Sequence, residues 1–218
     1  PLLGAPGTGY RYTGTHLHVA AGVAQAVTGQ EWEDLFQERV ARPLGMTSTT
    51  FVSTLRAAAS PDGHPLPAGS GISTLGDYGR FLEMLVHDGV APDGTRVLSS
   101  AAVAEMSVDQ TGDAAFVSAA ANRKAAKTPY GVAHWLDASA PDGTLLLESS
   151  PGKFGFRPWI DHVNGIAGVY LVVDQDDSHV TDSPDRARGA ADVQTSGDFV
   201  ITGVAKAVGG RPPTGDAR

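Results

Sequence analysis

The chain has 218 residues, of which 41% are hydrophobic and 18% charged, enough apolar side chains for the core of a globular domain. Its net charge of -8 and its scattered 16 lysines and arginines argue against a nucleic-acid surface, which needs a concentrated basic patch. The lack of cysteine excludes disulfides, thiolate metal sites and a cysteine nucleophile. No stretch approaches the ~18 apolar residues of a membrane span.

The first half of the sequence predicts helices joined by turns. The first helix covers 15–28, with Thr13 or Thr15 as its N-cap and Gly29 as its stop. A second helix, within 31–45, has one apolar face, because its large side chains recur at helical spacing.

A third helix, within 72–89, carries another apolar stripe and is capped by Ser73 or Thr74. A short fourth helix is predicted within 98–108. All four helices precede the first strand signals.

From Tyr130 onward the pattern changes to short runs rich in aromatic and β-branched residues, which predict antiparallel strands. The Pro-Asp-Gly at Pro141 predicts a hairpin turn between two of them. The sequence therefore predicts an α+β fold, a helical lobe followed by an antiparallel sheet with a C-terminal helix packed on it. The predicted single domain, 1–208, comprises a helical lobe (1–129), strands (130–173), a polar loop (174–193) and a closing helix (194–208), before a tail (209–218).

The residues Ser150-Pro151-Gly152-Lys153 spell S-x-x-K, a pattern typical of an acylating serine with its lysine. The two side chains of such a motif meet because positions i and i+3 share a helical face. Proline and glycine between them disfavour a helix. On the strand that is predicted instead, Ser150 and Lys153 point to opposite faces. We therefore interpret Ser150 as lining a site and not as the nucleophile.

Tyr10 and Tyr12 follow a glycine-rich turn and precede the first helix. Packing of two aromatic rings at a helix start is the simpler interpretation. In the alternative, a tyrosine held rigidly at this junction acts as a general base, if nearby cations lower its pKa from ~10.

Four segments resemble, in order, the serine β-lactamase-like family, which includes class C β-lactamases, D-alanyl-D-alanine carboxypeptidases and related esterases. They are PGTGYRYTG, VTGQEWEDLFQERVARPLGMTSTTF, GSGISTLGDYGRFLEMLVHDG and YGVAHWLD, and the resemblance runs from Pro6 to about Val173. It implies a β-lactamase/transpeptidase-like fold and hydrolysis of a small-molecule ester or amide through an acyl-enzyme, without a cofactor or metal. It favours a secreted or cell-envelope location over a cytoplasmic one.

The family's second motif, Tyr-x-Asn, matches Tyr12-Thr13-Gly14, which implies that Tyr12 is the general base and acid. Gly14 replaces the family's frequent asparagine, a substrate-amide contact, which favours an ester over a β-lactam or peptide. The third motif, Lys/His-x-Gly, matches Ser150-Pro151-Gly152, so Ser150 and Gly152 line the substrate groove and Ser150 replaces the usual cation. The backbone N–H of Lys153 then forms half of the oxyanion hole.

The family's first motif, a helical S-x-x-K, belongs well upstream of Tyr12. The resemblance therefore implies that the nucleophilic serine and its lysine are not in this chain. Two functions stay open: the C-terminal part of a serine hydrolase, or a non-catalytic binding module of the same fold. Because the missing segment also supplies strands, we expect a complementing N-terminal segment or a second copy to cover the sheet.

The other candidate residues favour structural explanations. The acidic run at 174–182 lacks the glycine and final glutamate of a calcium loop, and the early glycines lack a phosphate-binding lysine. Trp135 and Trp159 are expected in the core. Without metal-ligand spacing, the seven histidines are expected to be polar surface or partly buried residues: His16, His18, His64, His87, His134, His162 and His179.

Overall fold

A computed structural model describes residues 4–51, 67–118, 128–152, 155–171 and 197–213. The chain forms two compact units, one of Pro1–Tyr12 with Ala104–Arg218, the other of Thr13–Val103. The helices are α1 (Thr15–Thr28), α2 (Trp32–Phe36), α3 (Leu75–Val86), α4 (Ser100–Met106) and α5 (197–207). The strands are β1 (Gly9–Arg11), β2 (Ala115–Ser118), β3 (Trp135–Ser139), β4 (Leu145–Ser149), β5 (Phe156–Asp161) and β6 (Ile166–Leu171).

The unit Thr13–Val103 is built from helices, as its periodicity predicts. Gly29 ends α1 in the left-handed conformation with φ 69°, and the Thr74 hydroxyl caps α3 by accepting from the backbone N–H of Asp77. The predicted threonine cap of α1 is wrong, because Gly14 is its N-cap and no side chain caps it. The buried core of this unit consists of Ala41, Leu44, Met46, Met84 and Ala91.

The second helix of this unit changes its pitch. After α2 the chain continues as a π-helical turn, Gln37–Ala41, before it leaves the helix. The wider turn ends with Ala41 fully buried, beside Leu44 and Met84 in the core. Apolar periodicity predicted the helix correctly but did not distinguish the π turn from α-helix.

The other unit contains a four-stranded antiparallel sheet in the order β3-β4-β5-β6. The predicted hairpin turn joins β3 to β4: Ala140 and Thr144 are hydrogen-bonded, and Gly143 has φ 88°. Trp135 pairs with Ser149, which in turn pairs with Trp159. The registers of β3, β4 and β5 thus place these three residues side by side.

Helix α5 packs on this sheet through Ile201, which contacts Leu147 and Trp159. Both tryptophans of the sheet are buried, as expected. Helices, an antiparallel sheet and a closing helix together confirm the predicted α+β class. The sequence did not predict the parallel pair of β1 with β2, because its strands have only three and four residues and lie far apart in the chain.

Candidate functional site

Tyr12 directly follows β1 and lies in an aromatic cluster. Its ring stacks on Trp135 at a centroid distance of 5.2 Å and meets Tyr130 edge to face at 5.8 Å. About a third of Tyr12 remains exposed (36%), so the side chain is held by two rings and is still open to solvent. A phenol in this setting is rigid and accessible, two properties that a proton-transfer group needs.

Tyr10 has a different environment although it is only two residues away. Its ring stacks on Phe116 at 5.0 Å, and its hydroxyl is buried without a hydrogen-bond partner among the described residues. Burial, with a smaller contribution from the neighbouring Tyr12, raises the pKa of Tyr10 to about 12. Tyr10 is therefore harder to deprotonate than an ordinary tyrosine, and its buried hydroxyl is not accessible to a substrate.

Ser150 follows the last residue of β4 and is not part of a helix. Its Oγ donates to the carbonyl of Ala133 at 3.3 Å, and its N–H donates to the carbonyl of Pro158 at 3.2 Å. The geometry needed for a helical S-x-x-K is therefore absent at the serine. Lys153, to which we assigned an oxyanion-hole N–H, lies outside the described residues.

Trp135 connects Tyr12 to strand β4. Tyr12 stacks on Trp135, and Trp135 pairs with Ser149, the residue before Ser150.

Gly152 has no packing reason to be glycine among the described residues. A Cβ atom there would make only ordinary contacts, 3.5 Å from the Phe156 carbonyl oxygen and 3.6 Å from its Cβ. The N–H of Gly152 donates to that same carbonyl at 2.6 Å, which fixes the strand end.

At Gly14, in contrast, neighbouring atoms leave no room for a side chain. A Cβ atom there would lie 2.8 Å from the Cβ of Ala68 and 3.3 Å from Nε2 of His18. Close packing within the unit Thr13–Val103 therefore accounts for this glycine without any ligand.

A buried carboxylate, Glu148, forms a cluster that the sequence analysis missed. Its Oε2 accepts from Ser107 Oγ at 2.7 Å and from His134 Nε2 at 2.9 Å, and its Oε1 lies 3.4 Å from His162 Nε2. Residue Glu148 is only 7% exposed. The sequence contains one indication of this cluster: Glu148 is an acidic residue directly after the apolar run Leu145–Leu147. An acidic residue in such a buried strand needs a hydrogen-bond partner for its charge.

The charges of this cluster follow from its hydrogen bonds. Burial by itself raises the pKa of Glu148, but hydrogen bonds from His134, His162 and Ser107 outweigh it and hold the pKa at about 2. The other ring nitrogen of His134, Nδ1, lies 3.0 Å from the Val132 carbonyl, which can only accept. The two ring nitrogens of His134 thus link the buried carboxylate of Glu148 to the backbone of Val132.

Ser107, His134 and Glu148 do not form a catalytic triad. In a triad the histidine lies between serine and carboxylate, whereas here Ser107 donates directly to Glu148. Within the described ranges, no three His, Asp or Glu side chains are arranged to hold a metal ion. In the same part of the chain, no helix has both the length and the apolar character needed to cross a membrane.

Comparison with known proteins identifies the family. The model of the Beta-lactamase family matches residues 1–194, so the chain belongs to that family of serine hydrolases. The curated penicillin-binding protein 4 of Amycolatopsis lactamdurans is 34% identical over an alignment 122 residues long, and the match covers 46% of this chain and 32% of that protein.

Solved structures confirm the β-lactamase/transpeptidase-like fold. A proposed beta-lactamase from Bacteroides dorei DSM 17855 has a TM-score of 0.70 at 30% identity, covering 90% of this chain and 60% of its own. EstCE1, a hydrolase with promiscuous acyltransferase activity, has a TM-score of 0.61 at 18% identity over 87% of this chain and 58% of its own, a likeness that shows the fold alone. The chain thus spans about a third of the curated relative and about three fifths of the Bacteroides protein.

Proposed function

We propose that this chain is the C-terminal part of a serine hydrolase that cleaves a small-molecule ester or amide through an acyl-enzyme. The nucleophilic serine and its lysine lie in sequence outside these 218 residues. The observation that carries the proposal is membership of the Beta-lactamase family over residues 1–194. It is supported by the two fifths of the Bacteroides relative that the chain does not cover.

In this proposal Tyr12 is the general base and acid. Its partial exposure and its fixed position against Trp135 and Tyr130 support the role. Tyr10, the other tyrosine of the same segment, is unsuited to it because its pKa is raised to about 12.

Ser150 and Gly152 line the substrate groove. The described residues would leave room for a Cβ atom at position 152. Close approach of a substrate to the backbone would explain why this residue is glycine. The N–H of Lys153 is proposed as one of two backbone donors to the oxyanion, the other belonging to the nucleophile.

The substrate is proposed to be an ester in preference to a β-lactam. A serine at 150 supplies no positive charge for the β-lactam carboxylate, which is normally met by a cation. At position 14 the glycine is required by packing against Ala68, so an asparagine does not fit there without movement.

Turnover of two chromogenic substrates by the full-length protein tests the proposal. We expect a nitrophenyl ester to be hydrolysed with a larger kcat/KM than a chromogenic cephalosporin. Hydrolysis of neither substrate would support the alternative, a non-catalytic binding module of the same fold.

A further inference from the structure

We propose that His134 and Glu148 are positioning residues that hold the acceptor of the Ser150 hydroxyl in place. The inference rests on the proposed function only in giving Ser150 a substrate groove to line. It is argued from the contacts between the segment 130–135 and β4.

The segment 130–135 is a tight loop with an unfavourable backbone angle. Tyr130 and Trp135 form a bridge, and the N–H of Gly131 donates to the carbonyl of His134 at 2.9 Å. Between them Ala133 has φ 67°, in the left-handed region that costs an alanine free energy. Neighbouring contacts must therefore hold Ala133 in this conformation.

The contacts that hold it come from His134. Nδ1 of its ring bonds the carbonyl of Val132, the residue before Ala133, and Nε2 bonds the buried carboxylate of Glu148. The side chain of His134 is only 13% exposed, so water competes little for these bonds.

The loop and β4 are joined by two hydrogen bonds side by side. One joins His134 to Glu148, and the other joins the carbonyl of Ala133 to the hydroxyl of Ser150. Because His134 follows Ala133 and Glu148 precedes Ser150 by two residues, the hydrogen bond from His134 to the Glu148 carboxylate sets the spacing of the second bond. Loss of the carboxylate's charge weakens this hydrogen bond and should therefore move Ser150 relative to Gly152 and the groove.

The test is the backbone amide resonance of Ser150 in full-length protein labelled with ¹⁵N-serine, assigned by comparison with Ser150→Ala. We expect Glu148→Gln to shift this resonance and to lower kcat/KM for a nitrophenyl ester by up to about 10²-fold, as misplacement of a site group can do. The matched control is Asp161→Asn, which alters another buried, hydrogen-bonded carboxylate of the same sheet, paired with Asn164. The control should leave the Ser150 resonance unchanged.

Rescue separates positioning from general destabilisation. Glycine adopts a positive φ without cost, so adding Ala133→Gly to Glu148→Gln should return the Ser150 resonance and most of the kcat/KM to wild-type values. If Glu148→Gln does not fold, Ser107→Ala, which removes one bond to Glu148, should give a smaller shift in the same direction.

An unchanged Ser150 resonance in Glu148→Gln, an equal shift in Asp161→Asn, or failure of the rescue would each overturn the inference. The wild-type protein could hydrolyse no ester while the Ser150 resonance still shifts in Glu148→Gln and returns on adding Ala133→Gly. That result would contradict the proposed function and would support the positioning role of His134 and Glu148.

Discussion

At the scale of single residues, environment separates two tyrosines that the sequence presents as equivalent. Tyr12 is partly exposed between Trp135 and Tyr130, whereas the hydroxyl of Tyr10 is buried without a described partner. A proton-transfer role requires contact with substrate or with another catalytic group, which only an accessible hydroxyl permits. The two residues therefore provide a matched pair of variants.

We expect Tyr12→Phe to lower kcat/KM for a nitrophenyl ester by about 10²–10⁴-fold, the usual contribution of general acid–base catalysis. Tyr10→Phe should change it by less than about threefold and should not destabilise the fold, because no described hydrogen bond is lost. Steady-state kinetics on the two variants, with urea unfolding as a check on the fold, makes the comparison. Equal losses in both variants would remove Tyr12 from the proposed mechanism.

Glu148 is predicted to stabilise the fold in a pH-dependent manner. Its pKa falls from the ordinary 4.5 to about 2 on folding, so its contribution is present above pH 4.5 and is lost as pH falls from 4.5 to 2. The shift corresponds to a stabilisation on the order of 3 kcal/mol at neutral pH. Urea unfolding of wild-type and Glu148→Gln protein should show a difference of this order at pH 7 that narrows toward pH 2. A difference independent of pH would contradict the assignment.

The residues of the candidate site were only partly predictable from sequence. The proline and glycine after Ser150 were sufficient to predict that it is not in a helix, as the structure confirms. The pairing of Glu148 with His134 could not be predicted, because it depends on a loop conformation in which Ala133 has positive φ. Glycine, asparagine and aspartate can indicate that conformation in a sequence, whereas alanine gives no such indication.

At the scale of elements, a glycine-to-alanine substitution is expected to have opposite effects on stability in β6 and in α5. A Cβ atom on Gly168 of β6 would lie 2.5 Å from the ring of Trp159, whereas one on Gly203 of α5 would meet nothing within 4 Å. Trp159 is buried against α5 and cannot move away cheaply.

We expect Gly168→Ala to destabilise the protein by about 1–3 kcal/mol through overpacking. Gly203→Ala should stabilise it by up to about 1 kcal/mol, since alanine is the better helix former in open space. The free energies of unfolding in urea give both values. Stabilisation by Gly168→Ala would show that Trp159 does not pack on β6 as described.

The regular elements were predicted more completely than their exceptions. Cap signals, turn residues and hydrophobic periodicity located the four helices of the first half and the strands from Trp135 to Leu171. The π turn after Phe36 and the short parallel pair β1–β2 were missed, since both depend on distant contacts. The predicted loop at 174–193 lies outside the described residues.

At the scale of the whole molecule, α1 presents an apolar face to solvent. Val19, Val23 and Val27 lie one turn apart and are 62%, 58% and 80% exposed. Exposed apolar surface of this kind typically marks a contact with another chain or segment. The complementing N-terminal segment or second copy was predicted to cover the sheet, and we now propose that it contacts this face of α1 as well.

Native mass spectrometry of the 218-residue chain tests this expectation. We expect the chain to be found with a complementing segment or as a dimer, and Val23→Glu to weaken that association. The matched control is Thr28→Glu, which adds the same charge at an exposed position of α1 outside the valine stripe and should leave the association intact. A soluble monomer of the unaltered chain would contradict the prediction.

We propose that the acylated serine lies outside these 218 residues and that Tyr12 acts on it. Labelling of the full-length protein with a fluorophosphonate, followed by peptide mapping, tests it most directly. We expect a single labelled serine, in an S-x-x-K sequence beyond this chain, with slower labelling in Tyr12→Phe than in Tyr10→Phe. A label on Ser150 would overturn the proposal.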